Sequence, residues 1–238
     1  MGIYESTSVG NIENITVLEK TTQLLLPHLT VDLVSEDSLE RPLVERHIKN
    51  HFFKAYKADV TTFLPFILSA RTKKQITSTL GFRVGKDEQR FFLEHYLSTD
   101  VESTLSGLLN KPIARNKIAE IGSLTSNFPS ISHTLFVLVV SILYRAGFQW
   151  ALFTATTQVV KMIADLELTT ITVCDAVADS LPDSGQSWGG YYENKPKVIA
   201  GDLETAYRKL DQHPVSSFMI NNYQQTIDEI VGRIKNHA

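Results

Sequence analysis

The strongest constraint on this 238-residue chain is an alternation of elements in its second half. Residues 118–125 read as a strand, 131–145 as a helix, 148–157 as a strand, 158–166 as a helix and 170–178 as a strand. A strand joined to a parallel neighbour through a helix makes a right-handed crossover, and that helix then covers one face of the sheet. The first crossover helix is apolar on nearly all sides, its central run from 135 to 143 interrupted only by Ser141. That run is about half of the ~20 residues needed to span a bilayer, so a helix buried in a core is expected.

The first half has a different rhythm. Residues 1–20 are polar and turn-rich, with Ser6, Ser8, Asn11 and Asn14, and are expected to form a flexible arm. Residues 23–34, broken by Pro27, read as an extended segment. Val44, Ile48, Phe52 and Tyr56 then recur at helical spacing, with Arg41, Glu45 and Lys49 on other faces. The apolar run 63–68 contains Pro65, which cannot donate to a ladder and so predicts an edge strand or a bulge. Ile76, Ser78, Leu80, Phe82 and Val84 alternate with polar neighbours, and residues 91–97 read as a further short strand or extended piece, which together suggest an antiparallel meander. Thr99 and Glu102 have capping-box spacing ahead of a short helix over about residues 100–109, and Thr157 is expected to cap the helix at 158–166. Residues 181–196, with two prolines and three glycines, read as a long loop, and 223–234 as an amphipathic helix. The expected class is α+β: antiparallel N-terminal strands and a central parallel pair in a mixed sheet flanked by helices. The expected organisation is an arm over 1–20, a domain over 21–206 and a C-terminal helical extension over 207–238.

Composition removes several functions. A net charge of −3 supplies no general basic field, which argues against nucleic-acid binding. The one cysteine, Cys174, cannot form an internal disulfide or a cysteine-rich metal site, and is expected to be a small buried residue. His47 and His51 sit four apart on a helix without a zincin glutamate or an evident third ligand, so no metal is expected. The amino terminus lacks the basic start and apolar stretch of a secretory signal, and a cytoplasmic location is expected. No Gly-x-Ser-x-Gly elbow, P-loop or Rossmann fingerprint occurs.

Glu120 is the leading catalytic candidate. It lies in an otherwise apolar strand on the face of Ile118, Gly122 and Leu124, where burial would raise its pKa toward that of a general base. The alternative is a structural carboxylate paired with Arg115 or Lys117. Gly122 permits close approach of a ligand, or marks a bulge. Pro129, Ser130 and Ser132 open the crossover helix, whose free amides either are capped or hold a phosphate. Thr154 and Thr156 share a face at the carboxyl end of the second parallel strand, where ligands bind in such sheets. Trp188, Tyr191 and Tyr192 form an aromatic cluster with a glycine hinge, either the wall of an acyl pocket or packing over a sheet edge. Glu94 offers a second carboxylate, on the strand face opposite His95.

Four stretches, 91–97 (FFLEHYL), 118–126 (IAEIGSLTS), 147–156 (GFQWALFTAT) and 188–192 (WGGYY), resemble the thermostable haemolysin family of marine bacteria. The similarity covers roughly residues 43–206. That family in turn looks like the GNAT acyltransferase superfamily, above all the acyl-homoserine-lactone synthases. The resemblance implies a splay between the strands at 118–125 and 148–156, with an acyl thioester lying in it, and it places Glu120 where the synthases carry a strand glutamate. It implies Gly122, Ser123, Leu124, Ser130, Ser132, Thr154 and Thr156 at the cofactor, and Glu94, Tyr96, Trp188, Tyr191 and Tyr192 at the substrate. The donor implied is acyl-CoA or an acyl-carrier protein, and the acceptor a small amine. The glycine-rich phosphate loop of the superfamily is missing between Ser123 and Ser132, and the synthase arginine after the glutamate is replaced by Gly122 and Ser123, a pattern that suits a carrier-protein donor. The contrasting expectation is a membrane-active protein acting through the tail helix or the aromatic loop.

Overall fold

The computed structural model describes residues 29–86 and 89–237. The expected arm and residues 23–28 of the extended segment lie outside the described residues. Seven strands form one sheet in the order β1-β2-β3-β4-β5-β7-β6. These are β1 (Thr30–Val34), β2 (Phe66–Thr72), β3 (Gln75–Val84), β4 (Ile118–Ser126), β5 (Trp150–Ala155), β6 (Ile171–Asp175) and β7 (Lys197–Asp202). Only β4 and β5 pair in parallel; all other neighbours are antiparallel. Seven α-helices are described: α1 (Arg41–Tyr56), α2 (Val101–Leu109), α3 (Pro129–Ala146), α4 (Thr157–Asp165), α5 (Leu203–Gln212), α6 (Pro214–Asn222) and α7 (Gln224–His237). The mixed α+β sheet with its central parallel pair is the class the sequence predicts.

The crossover helix α3 organises the larger core. Pro129 occupies its first turn, where a missing N–H costs nothing, and Gly147 ends it in the left-handed conformation with φ 97°. Between them, α3 packs on one sheet face through Leu135, Leu138 and Ile142 against Leu80, Phe82, Ala119 and Ile121. Helix α7 closes over it with Ile227, Ile230 and Ile234. Each fully buried leucine or isoleucine here contributes about 1.5–3 kcal/mol. Among the described residues α3 alone is long and apolar enough to cross a membrane, and most of it is buried inside the protein. On the other sheet face Ile118, Trp150, Leu152 and Val198 meet Phe91, Leu93 and Leu105. The period-two alternation of β4 thus sends Ala119 and Ile121 to α3, and Ile118 and Glu120 to the opposite side.

Several local expectations are corrected. Residues 91–97 are not a strand: Phe92–Tyr96 form a 3-10 turn, because the Glu94 carboxylate folds back to accept the amides of Phe91 (2.7 Å) and Val101 (2.9 Å). The opposition of Glu94 and His95 across a strand therefore does not exist. Pro65 does not place β2 at an edge; it precedes the first ladder residue, Phe66, and so removes no donor from a strand flanked by β1 and β3. Asp100, not Thr99, caps α2, its carboxylate accepting from Ser103 N at 2.9 Å. Thr157 is the first residue of α4 rather than its cap, and no side chain caps that helix. The segment 181–196 is partly ordered as a 3-10 run, Gln186–Asn194, and is followed by a strand the sequence reading lacks, β7, which inserts between β5 and β6. Cys174 is half-buried, its thiol donating to the Tyr96 carbonyl at 3.5 Å.

Candidate active site

The parallel seam is only half closed. β4 and β5 pair from Ile118 opposite Trp150 to Ile121 opposite Phe153, and pairing stops there although β4 continues to Ser126. The cause lies on the other edge of β4. Thr79 faces Thr125 but Gly81 faces Gly122, so β4 carries one extra residue at this point, and Ser123 adopts φ 50°. Such a bulge bends the strand and increases its twist, which carries β4 away from β5. A Cβ at Gly122 would lie 3.0 Å from Leu64 Cδ1, so a side chain there requires that leucine to shift.

A cleft of about 750 Å³, mouth included, opens at this splay. Glu120, Gly122, Ser123 and Thr154 form its inner edge, and Phe52, Leu64, Phe92, Trp188 and Tyr191 its apolar walls. A second hollow is lined by Leu124, Phe136, Phe153 and Thr156 together with His51 and Tyr56 of α1, and it shares Phe52, Ile121, Gly122, Ser123, Thr154 and Tyr191 with the first. The splay is thus a common wall of two adjoining recesses.

Glu120 is 4% exposed, and its two oxygens accept the backbone amides of Phe92 (2.9 Å) and Leu93 (2.8 Å). Burial pushes its pKa up; the two amides and the charge of Arg83 pull the other way without cancelling the rise. A carboxyl so placed holds a proton more readily than an ordinary glutamate, the property a general base needs. Tyr96 and Tyr192 share a hydroxyl hydrogen bond of 2.5 Å in the same cleft, and burial raises both phenols, so they stay protonated donors. Tyr191 reaches the carbonyl of Thr154 at 3.4 Å, on the open seam. Trp188 stands 5.5 Å from Phe92 and 6.0 Å from Phe52 between ring centroids, so the aromatic segment is a packed wall. It is fastened to α1: Gly189 has φ 51°, and a Cβ there would lie 2.2 Å from the Tyr56 carbonyl oxygen.

Glu120, Gly122, Ser123, Thr154, Tyr96, Trp188, Tyr191 and Tyr192 therefore meet at one cleft, with Leu124 and Thr156 at the adjoining hollow. Glu94, Ser130 and Ser132 line neither. Glu94 is turned away, toward Arg115, whose Nη1 and Nη2 donate to it at 2.8 and 3.0 Å. Arg115 is thus the partner of Glu94 and not of Glu120. Phe128, rather than Ser130 or Ser132, is the N-cap residue of α3, and no side chain caps that helix. Eight cleft residues were not among the predicted site residues, Arg83, Phe92, Phe63 and Leu64 among them. Arg83 had a usable signal, since the alternation of β3 puts it on the face opposite Phe82, away from α3.

Solved structures share this architecture, the GNAT-like fold. The acyl-homoserine-lactone synthase LasI superposes with a TM-score of 0.51 at 13% identity, over 74% of this chain and 90% of that one. FeeM, an N-acyl amino acid synthase from uncultured soil microbes, gives 0.53 at 14% identity, over 80% and 98%. BjaI, a CoA-dependent acyl-homoserine lactone synthase solved with SAM and isopentyl-CoA, gives 0.53 at 8% identity, over 82% and 89%. Comparison with curated protein sequences yields no match. Residues 34–207, which span strands β2 to β7, the splay and the aromatic wall, match the family described as thermostable hemolysin, and the chain belongs to that family.

Proposed function

We propose that the protein is an N-acyltransferase that moves an acyl group from a thioester, borne by an acyl-carrier protein or coenzyme A, to a small amine. The observation that carries this reading is the seam that opens at Gly122 directly beside the buried carboxylate of Glu120. Beyond Ile121 the β4 edge has no ladder partner on β5, so a pantetheine arm has backbone groups to pair with. Gly122, Ser123 and Leu124 would meet the arm, with Thr154 and Thr156 on the facing strand and Ser130 and Ser132 beyond it at the start of α3. Tyr96, Trp188, Tyr191 and Tyr192 would enclose the reacting groups, and Glu94 would support them from behind the turn.

The amine nitrogen attacks the thioester carbonyl carbon while Glu120, directly or through a water, takes its proton. Amides of the splayed strand stabilise the oxyanion. The C–S bond then breaks, and the proton passes to the departing sulfur to give an amide and a free thiol. The similar fold of a CoA-dependent synthase and an N-acyl amino acid synthase supports this chemistry. The absence of a glycine-rich phosphate loop from residues 123–132 favours the carrier-protein form of the donor. Both donors are found in the cytoplasm, which supports a cytoplasmic location for the enzyme. Lysis through the tail helix gains no support, since Ile227, Ile230 and Ile234 face α3 and are buried.

The test is thiol release from a panel of acyl-CoA and acyl-carrier-protein donors with mixed amines, for the wild type and Glu120→Gln. The expected loss in the variant is about 10²–10⁴-fold in kcat. A variant that keeps the wild-type rate removes Glu120 from the chemistry, and a wild type that releases no thiol with any donor and amine removes the acyltransferase.

A further inference from the structure

Arg83 has no structural task proportionate to its charge. The comparable arginines at the sheet and core each hold a carboxylate: Arg41 holds Glu45 at 2.6 Å, Arg71 holds Glu40 at 2.7 Å, and Arg115 holds Glu94 and Glu102. Arg83 makes one hydrogen bond, Nη1 to the carbonyl of Arg90 at 2.7 Å. Among the described residues it forms no ion pair, and its remaining N–H groups have no partner. It is partly exposed and lines the cleft.

Its position relative to Glu120 is set by register. Arg83 on β3 is the direct cross-strand partner of Glu120 on β4, so the two side chains leave the sheet on the same face. Cross-strand partners stand about 5 Å apart at their Cα atoms. The two do not pair with each other: both Glu120 oxygens are turned to the amides of Phe92 and Leu93, and the guanidinium to Arg90. A cation with free donors and a proton acceptor therefore stand side by side at one cleft wall. An α-amino acid carries an ammonium and a carboxylate on one carbon atom, a pair of charges opposite in sign to this one.

We infer that the amine acceptor is an α-amino acid, whose carboxylate is held by Arg83 while its nitrogen is presented to Glu120. The guanidinium suits this task because its forked N–H groups match a carboxylate in a bidentate pair. Holding the carboxylate on β3 turns the neighbouring nitrogen toward β4 and the splay, where the thioester carbon would lie. The inference takes the fate of the nitrogen from the acyltransferase reading, but carboxylate recognition by Arg83 does not depend on it.

Two measurements keep the ideas apart. The first is calorimetric binding of matched pairs, leucine against isopentylamine and phenylalanine against phenethylamine, to the wild type, Arg83→Gln and Arg83→Lys. The second is acyl transfer to the same compounds. At least one amino acid is expected to bind, its decarboxylated partner to bind about 10–100-fold more weakly, and Arg83→Gln to erase that difference, with Arg83→Lys intermediate. In transfer, Arg83→Gln is expected to lower kcat/KM for the amino acid about 10–100-fold more than for the amine, whereas Glu120→Gln lowers both alike. Carboxylate-dependent binding without any transfer would retain the Arg83 site and overturn the acyltransferase. Transfer to amine and amino acid alike, or equal losses for both in Arg83→Gln, would overturn the Arg83 site and retain the enzyme. Neither binding nor transfer overturns both.

Discussion

Two buried carboxylates lie on opposite sides of one short turn. The turn Phe92–Tyr96 and its flanks supply backbone amides to both: Phe91 and Val101 to Glu94, Phe92 and Leu93 to Glu120. Each side chain is almost wholly removed from solvent, at 2% and 4% exposure. What differs is the counter-ion. Glu94 has the Arg115 guanidinium against both oxygens, and its pKa is held below the ordinary glutamate value by that arginine and the amides, despite burial. Glu120 has amides and a more distant Arg83, and burial prevails, so its pKa rises. The same cost of desolvation thus gives a permanently charged structural group on one side and a group able to exchange a proton on the other. The cleft opens on the second side only.

Removing the arginine should break the first region most severely. Arg115→Ala leaves Glu94 buried without a cation, and also releases Glu102, which Arg115 holds at 2.7 Å. A destabilisation of about 3–5 kcal/mol is expected in urea unfolding at pH 7. An unchanged midpoint would show that the backbone amides alone satisfy Glu94. The loss should extend to the neighbouring site, because the turn that presents Phe92 and Leu93 to Glu120 is the one Glu94 ties together.

Glu94→Gln is the milder test, since Arg115 keeps Glu102 and the amide side chain can still accept one backbone bond. About 2 kcal/mol is expected. This contribution has a defined pH window. The folded-state pKa of Glu94 lies below that of the unfolded chain, so its stabilisation is fully present above pH ~4.5 and disappears as the pH falls through the folded value. The stability difference between wild type and Glu94→Gln should therefore shrink in acid, and a difference that persisted unchanged at pH 3 would contradict the assignment of a charged Glu94.

The contrast between these carboxylates was only partly legible in the sequence. Residues 118–125, 131–145 and 148–157 announced strand, helix and strand through local periodicity, and that periodicity also put Glu120 on the face away from α3. Nothing local says which carboxylate Arg115 will meet. The choice depends on the turn at Phe92–Tyr96, which in sequence imitates a strand because Phe91, Phe92, Leu93 and Tyr96 are all β-favouring residues. The folding back of Glu94 overrides that propensity with four charge-assisted hydrogen bonds, from the Phe91 and Val101 amides and from both Nη atoms of Arg115. Strand β7 was hidden for another reason. Its apolar core is only Val198, Ile199 and Ala200, between Pro196 and Gly201, and it is stabilised by pairing with β5 and β6 rather than by its own pattern. The splay itself was implied by family resemblance; its local cause, an extra β4 residue at Ser123, appears only when the register with β3 is known.

The smallest effect on stability should come from the residue with the largest effect on transfer. Glu120→Gln removes a charge whose burial is unfavourable, and at the same time leaves one of the Phe92 and Leu93 amides facing an NH2 group instead of an oxygen. The two changes oppose each other, each of the order of about 1 kcal/mol, and a net change within about 1 kcal/mol is expected at pH 7. The pH trend has the opposite sign to that of Glu94. Because the folded pKa of Glu120 lies above the unfolded one, protonation is favoured in the folded state, and the wild type loses stability as the pH rises from ~4.5 through the folded value. Glu120→Gln does not titrate there, so its stability relative to wild type should improve between pH 4.5 and 7.5, while that of Glu94→Gln should worsen from pH 3 to 4.5. Parallel urea titrations of the two variants across that range decide the matter. If both differences moved in the same direction, the two carboxylates would be alike in kind, and the division of labour across the turn would fail.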